Sequence, residues 1–199
     1  MLEAELRAAL SKEQAAALPK TLAALGFREQ SAVQESDVYF NRPDRDFRKT
    51  DEALRLRTVR PVSGAGEQTL ITYKGQKLDG MSSTRRELET AVGSFETMQN
   101  LLQALGYCAA HTVKKTRRSF ICGAKTACLD DVEGLGPYLE LETVLPEGAD
   151  CGQAAAELLA LLDALRISRG ALTRESYLDL LLLSAGCADC VLTDRKARD

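Results

Sequence analysis

The chain has 199 residues, of which 45% are apolar, and this is enough to bury the core of one domain. Lys and Arg together number 26 against 29 Asp and Glu, so the formal net charge is −3. A balance so close to neutral gives no overall attraction to nucleic acid or to a membrane surface, so we expect neither as a partner and look for local groups of charge instead.

Alternation of apolar and polar residues with a period of two, typical of half-buried strands, recurs between helical patterns that carry capping residues. In chain order the patterns predict a strand at 2–10, a helix at 12–25, strands at 53–60, 68–74 and 85–91, a helix at 95–105, strands at 112–121, 126–132 and 138–145, and helices at 152–165 and 174–183. The segments 61–66 and 75–83 are rich in Gly, Ser and Pro and read as loops. This is the pattern of an α+β protein dominated by strands.

The charged residues of the first strand lie on one face. Consecutive side chains of a strand point to opposite faces, so Glu3, Glu5 and Arg7 share one face and the apolar residues between them share the other. For one strand, this is the pattern of an ordinary sheet with a solvated outer face. Here, however, pairs of like charge at i and i+2 recur on at least five segments. Like charges repel unless a group of opposite sign lies between them, which favours a charged interior.

The charged faces contain acids and bases in equal measure. The acids are Glu3, Glu5, Glu87, Glu89, Asp130, Glu140 and Glu142, and the bases are Arg7, Arg55, Arg57, Lys74, Arg85, Lys115 and Arg117. If the sheet closes with these faces inward, the interior offers carboxylates for hard cations such as Mg²⁺ or Mn²⁺, and cationic groups for phosphate oxygens. A complex of a metal ion and a triphosphate needs both kinds of group.

The start of the chain and its cysteines indicate a cytoplasmic protein. Glu3 and Glu5 lie where a secretory signal would have a basic start and an apolar stretch, and no apolar run approaches the ~20 residues that span a bilayer. The six cysteines are scattered, and we expect free thiols. Cys187 and Cys190 have the spacing of a zinc or redox pair, but only His111 is present to complete such a site, so a frayed tail is the simpler interpretation.

Several motifs resemble those of a known family. Glu3-Ala-Glu5-Leu-Arg7 is similar to the ExExK signature of the CYTH superfamily, the triphosphate tunnel metalloenzymes, with Arg in place of the usual Lys. The segments 37–40, 43–47 and 50–57, the last reading Thr-Asp-Glu-Ala-Leu-Arg-Leu-Arg, resemble the class IV adenylyl cyclases. The resemblance continues in order through Thr72-Tyr-Lys-Gly75, Arg85-Arg-Glu-Leu-Glu89, Lys115-Thr-Arg117, the segment 129–136, Glu140-Leu-Glu142 and the segment 176–181.

The resemblance implies a fold and a set of roles. The fold is an eight-stranded antiparallel closed tunnel barrel with helices packed outside, which we assign to residues 1–185, with a tail at 186–199. The implied reaction converts ATP to 3′,5′-cyclic AMP and pyrophosphate with divalent ions, Mg²⁺ or Mn²⁺, and a homodimer is compatible with it. Metal ligands would be Glu3, Glu5, Glu87, Glu89, Asp130, Glu140 and Glu142; triphosphate ligands would be Arg55, Arg57, Lys74, Arg85, Lys115 and Arg117; and Glu3, Glu5, Arg7 and Lys74 would act in catalysis.

Two other functions remain open. A triphosphatase acting on inorganic triphosphate or thiamine triphosphate would direct water at the terminal phosphorus in a similar site. Tyr39 with Lys74 could position that water, although Tyr39 is more simply a strand residue that packs locally. A module that binds phosphate-rich ligands without turnover is the third possibility. The run at 50–57 favours the cyclase.

Overall fold

The computed structural model describes residues 2–78, 83–146 and 149–185. The predicted tail at 186–199, with Cys187 and Cys190, lies outside these described residues. In the described ranges, no helix has the length and apolar content that crossing a membrane requires.

Strands and helices follow one another along the chain much as the patterns predict. The strands are β1 Leu2–Ala9, β2 Arg28–Glu29, β3 Val33–Asn41, β4 Ala53–Pro61, β5 Gln68–Lys77, β6 Arg85–Val92, β7 Cys108–Cys122, β8 Lys125–Val132, β9 Gly136–Leu145 and β10 Leu172–Thr173. The helices are α1 Lys12–Ala24, α2 Phe95–Ala104, α3 Cys151–Ala164 and α4 Tyr177–Ser184, and a short 3-10 helix spans Arg169–Ala171.

Eight of these strands form one closed antiparallel barrel, in the order β1-β6-β5-β4-β3-β7-β8-β9, with β9 returning to pair with β1 along its whole length. The contact between β1 and β6 is short, because only Leu2 and Glu3 pair with β6. Farther along β1, the short strand β10 takes over the pairing at Arg7 and Ala8. The closed barrel confirms the fold that the resemblance implied.

The hydrophobic core lies outside the barrel. Ala4, Leu6 and Ala8 of β1 are buried in one cluster with Leu22 of α1 and Leu158 of α3. A second cluster lies under α2, where Leu102 packs with residues of β3 and β4. The apolar faces of the strands therefore point outward beneath the helices, and the charged faces are left to point inward.

Helix α4 closes one end of the barrel. Its side chains Tyr177 and Leu182 pack against Val113, Val132 and Tyr138. Val113, Val132 and Tyr138 each lie two positions along a strand from a charged residue that points inward, so their side chains also point inward, at the end of the barrel interior. Helix α4 therefore bounds the interior on this side.

Besides the two-residue strand β2 and the extension of β5 to Lys77, into the predicted loop, the structure departs from the predicted elements in three places. Alternation does not predict β3, although Tyr39 is interpreted as a strand residue, because the outward face of β3 includes the polar residues Gln34 and Ser36. The predicted helix at 174–183 begins only at Tyr177, because the residues before it pair with β1 as β10. β7 begins at Cys108, four residues earlier than the alternation indicated.

The core cluster beneath α3 predicts a large cost for removing one side chain. Leu158 is completely buried there, so Leu158→Ala should lower the free energy of unfolding by about 2 to 5 kcal/mol, through lost burial and the cavity left behind. Urea denaturation measures this change. Leu101→Ala is the control, because Leu101 is 48% exposed and its loss should change stability by less than about 0.5 kcal/mol. Equal effects of the two substitutions would contradict the placement of the core outside the barrel.

Candidate active site

The interior of the barrel holds a cavity of about 220 Å³ whose lining is almost entirely charged. It is lined by Glu3, Glu5, Arg7, Tyr39, Ala53, Arg55, Arg57, Thr72, Lys74, Arg85, Glu87, Glu89, Lys115, Arg117, Glu140, Glu142 and Tyr177. The structure therefore brings together every residue of the predicted site except Asp130. These residues come from strands that are far apart in the sequence.

An acidic wall is formed around Lys74 of β5 by Glu3 and Glu5 of β1, Glu87 of β6 and Glu142 of β9. The ammonium nitrogen Nζ of Lys74 lies 2.7 Å from a carboxylate oxygen of Glu87, 3.5 Å from one of Glu3 and 4.0 Å from one of Glu5. Burial alone would lower the pKa of Lys74, but these carboxylates outweigh it and raise that pKa. Lys74 is therefore a fixed cation within a group of acids.

The carboxyl groups of the acidic wall differ in their pKa values. Burial and a hydrogen bond to Glu87 raise the pKa of Glu3 well above its usual range. Burial also acts to raise the pKa of Glu87, but the nearby Lys74 lowers it overall. Burial likewise raises the pKa of Glu142 to about 7, against the opposing effect of Arg117. Near neutral pH Glu3 therefore holds a proton, and a cation bound beside it would favour the release of that proton.

The basic wall contains Arg55 and Arg57 of β4, with Asp37 behind them. Arg57 forms a two-point pair with Asp37, in which Nε lies 2.6 Å from Oδ1 and Nη2 lies 2.7 Å from Oδ2. Arg55 reaches the same carboxylate at 3.5 Å. Burial would raise the pKa of Asp37, but the two arginines hold it well below its usual range. Asp37 therefore fixes two planar cations that face the cavity.

Lys115 and Arg117 of β7 extend the basic wall. Arg117 forms a two-point pair with Asp130 at 2.7 and 2.6 Å, and also donates to Glu140. Lys115 lies 3.2 Å from Asp130 and 3.3 Å from Glu35. Asp130 is completely buried behind these cations and does not line the cavity, so its placement supports a role in holding bases; its role as a metal ligand stays a prediction.

Four residues at or behind the cavity are not among the predicted site residues. Glu35 and Asp37 lie behind the basic wall, while Thr72 and Tyr177 line the cavity. Glu35 and Asp37 are like charges at i and i+2, the same pattern that predicted the other site residues. The pattern would have predicted them too if β3 had been predicted as a strand. Thr72 donates a hydrogen bond of 2.7 Å to Glu89, which is exposed. No pattern of charge marks Tyr177, because an uncharged ring carries no such signal.

The carboxylates of the described chain are engaged mostly with cations. Arg7 donates to Glu140 at 2.7 Å and also to Glu5. Within residues 2–78, 83–146 and 149–185, no three Asp, Glu, His or Cys side chains are gathered as a bound metal ion would require.

Comparison with known proteins identifies the family. Residues 1–177 match the CYTH domain. The chain belongs to the CYTH family. The CYTH fold binds triphosphates, and the enzymes of the family depend in general on divalent metal ions.

The chain is similar in sequence to archaeal proteins and in fold to a protein of Hippeastrum. The chain is 35% identical over 180 residues to "Putative adenylate cyclase MJ0240" of Methanocaldococcus jannaschii, covering 90% of this chain and 98% of that protein. The solved structure of the PH1819 protein of Pyrococcus horikoshii is 34% identical, with a TM-score of 0.82 over 91% of this chain and 98% of that one. The solved structure "Putative adenylyl cyclase HpAC1 from Hippeastrum reveals a dominant triphophatase activity" has a TM-score of 0.63 over 90% of this chain and 94% of that one; at 15% identity it shows the fold alone.

The buried pair of Asp37 and Arg57 should be essential for stability. Asp37→Asn removes the two-point partner of the buried Arg57 guanidinium and leaves it only the contact with Glu35 at 3.0 Å, so we expect the free energy of unfolding to fall by about 3 kcal/mol. Urea denaturation measures this loss. Glu67→Gln is the matched control: it breaks the exposed pair of Arg60 and Glu67, which should matter by less than about 1 kcal/mol.

The same pair predicts how stability depends on pH. Because the pKa of Asp37 is lower in the folded than in the unfolded chain, its contribution is present above the unfolded value of about 4 and is lost as pH falls further. Urea titrations between pH 7 and pH 3 should therefore show the gap between the wild type and Asp37→Asn narrowing toward acid pH. A gap that stays constant down to pH 3 would contradict the assigned pKa shift.

Proposed function

We propose that this CYTH protein is an adenylyl cyclase that converts ATP to 3′,5′-cyclic AMP and pyrophosphate. The proposal is carried by one observation, the opposition of a basic wall and an acidic wall across a small cavity inside the barrel. The similarity to "Putative adenylate cyclase MJ0240", along 98% of that protein's length, supports the choice of reaction.

The basic wall suits the triphosphate of ATP. Arg55, Arg57 and Arg117 present planar guanidinium groups, which can hold phosphate oxygens in a two-point fashion. Their carboxylate partners, Asp37 and Asp130, hold them in place before substrate arrives. Cations that are already oriented need little reorganisation when negative charge shifts along the phosphate chain during the reaction.

The acidic wall fits a divalent ion by its donor chemistry. Glu3, Glu5, Glu87 and Glu142 offer only carboxylate oxygens, which hard ions such as Mg²⁺ and Mn²⁺ prefer. Burial and a hydrogen bond to Glu87 raise the pKa of Glu3, so this carboxyl holds a proton that a bound divalent ion would displace. When bound, a divalent ion supplies stabilisation of phosphate charge and a lower pKa for a hydroxyl group that it binds.

The chain itself would orient the reacting groups. In the reaction the ribose 3′-oxygen forms a bond to the α-phosphorus, the bond from that phosphorus to the bridging oxygen breaks, and the hydroxyl proton is released. No covalent bond to the protein is required, so Arg55, Arg57, Lys115 and Arg117 act by holding the triphosphate in line. Helix α4 closes one end of the cavity and so limits the access of water.

A triphosphatase is the second candidate, and the composition of the cavity favours it. The lining offers few apolar groups on which a nucleobase could rest, so a bare triphosphate would satisfy most of the groups present. In that reaction water attacks the terminal phosphorus. The Hippeastrum protein, for which a dominant triphosphatase activity is stated, has the same fold.

Product analysis separates the candidates. The purified protein is incubated with ATP, inorganic triphosphate and thiamine triphosphate in turn, each with Mg²⁺ or Mn²⁺, and the products are resolved by chromatography. Cyclic AMP with pyrophosphate is the expected result. Orthophosphate from either of the other substrates, without a cyclic product, would establish a triphosphatase. Binding without turnover of any substrate would indicate a non-catalytic module.

Two substitutions test the two walls. Glu5→Gln should lower metal-dependent kcat by about a hundredfold or more. The variant replaces a negatively charged ligand of the divalent ion, which would stabilise the negative charge of the phosphates, by a neutral amide. Arg57→Lys should chiefly raise KM, because lysine keeps the charge but loses the two-point geometry. Glu157→Gln, on the exposed surface and paired with Lys125 and Gln153, is the control and should leave both constants unchanged. Unchanged kinetics in both test variants would refute the site.

A further inference from the structure

Tyr177 enters the end of the cavity from a fixed position. It is the first residue of α4, whose start is set by a capping box: the Ser176 hydroxyl accepts from the Asp179 backbone N–H at 3.1 Å, and the Asp179 carboxylate accepts from the Ser176 backbone N–H at 3.2 Å. The residue before the box is tied to the barrel as well, since Nη1 of Arg7 donates to the carbonyl oxygen of Glu175 at 2.5 Å.

The ring of Tyr177 lies against two cations from different strands. The guanidinium carbon of Arg7 is 4.4 Å from the ring centroid, and Nζ of Lys115 is 5.0 Å from it. The hydroxyl donates to Asp130 at 3.0 Å, and the ring of Tyr138 packs edge-on at 5.3 Å. Residues of β1, β7, β8 and β9 therefore hold this buried ring in place.

An aromatic ring can fix a cation in a way that a carboxylate cannot. Long Lys and Arg side chains lose considerable rotamer freedom when they are held in one place. A carboxylate that holds them also cancels their charge, whereas a ring attracts them through its electron-rich face and adds no formal charge. Lys115 already has Asp130 and Glu35 beside it, so a third acid would leave it little attraction for phosphate.

We propose that Tyr177 is a positioning residue that holds Arg7 and Lys115 in the orientation in which they bind the triphosphate. The inference rests on the proposed function, because it presumes that a triphosphate occupies the cavity. The face of the ring attracts the two cations, and the hydroxyl donates a hydrogen bond to Asp130. Burial raises the pKa of Tyr177 well above its usual range, so the hydroxyl remains a donor.

A series of phenylalanines at position 177 tests the ring directly. Tyr177→Phe removes the hydroxyl and keeps the ring, and replacement by mono-, di- and trifluorophenylalanine then weakens the negative face with little change of shape. The Kd of inorganic triphosphate, measured by calorimetry in the presence of Mg²⁺, should rise stepwise along the series. We expect about a tenfold rise from phenylalanine to the trifluoro form, or about 1.4 kcal/mol. The KM for the substrate that is turned over should rise in parallel, with kcat changing less.

Leu182→Ala provides the structural control. Leu182 packs in the same cluster on α4 but does not line the cavity, so the variant should lower Tm and leave the Kd of triphosphate unchanged. A constant Kd across the fluorinated series would overturn the role of the ring. A loss of binding in Tyr177→Phe as large as in the trifluoro form would assign the effect to the hydroxyl instead. Absence of triphosphate binding by the wild type would refute the proposed function, which is a separate outcome.

Discussion

The structure depends on the pairing of charges inside the barrel. A buried carboxylate or guanidinium that has no partner costs several kcal/mol, and the interior holds many of both. Asp37 with Arg57, and Asp130 with Arg117, solve this problem by two-point pairs between neighbouring strands. Since each pair requires its strands in one register, the same contacts that neutralise the interior also fix the alignment of β3 with β4 and of β7 with β8.

Placing the charges inside forces the hydrophobic core to lie outside. The outward faces of β1, β8 and β9 are apolar and are covered by helices, with Leu22 and Leu158 among the most completely buried side chains. This arrangement separates stability from chemistry. The core beneath the helices can be packed without regard to ligands, and the interior can be selected for charge and geometry, provided that its charges remain balanced.

Charge at the acidic wall is balanced in part by protons. Burial is the largest cause of the raised pKa values of Glu3 and Glu142, so protonation as well as nearby cations limits the negative charge of this wall. At the basic wall the arginines are held by acids behind them, so their outer surfaces remain directed at the cavity. A ligand that brings positive charge to the acidic wall and negative charge to the basic wall matches the charges of the interior, and a complex of a metal ion and a triphosphate has this distribution of charge.

The sequence by itself determined the parity of the strands and hence most of the site, because side-chain direction in a strand depends only on position. It did not reveal Asp37, because the polar outward face of β3 hid the strand. Only the tertiary structure decided which acid meets which base, since Asp130 and Arg117 are brought together by strand register and closure of the barrel. It also decided that Tyr177 ends the cavity. Contacts between distant segments depend on the whole barrel, and no short stretch of sequence contains that information.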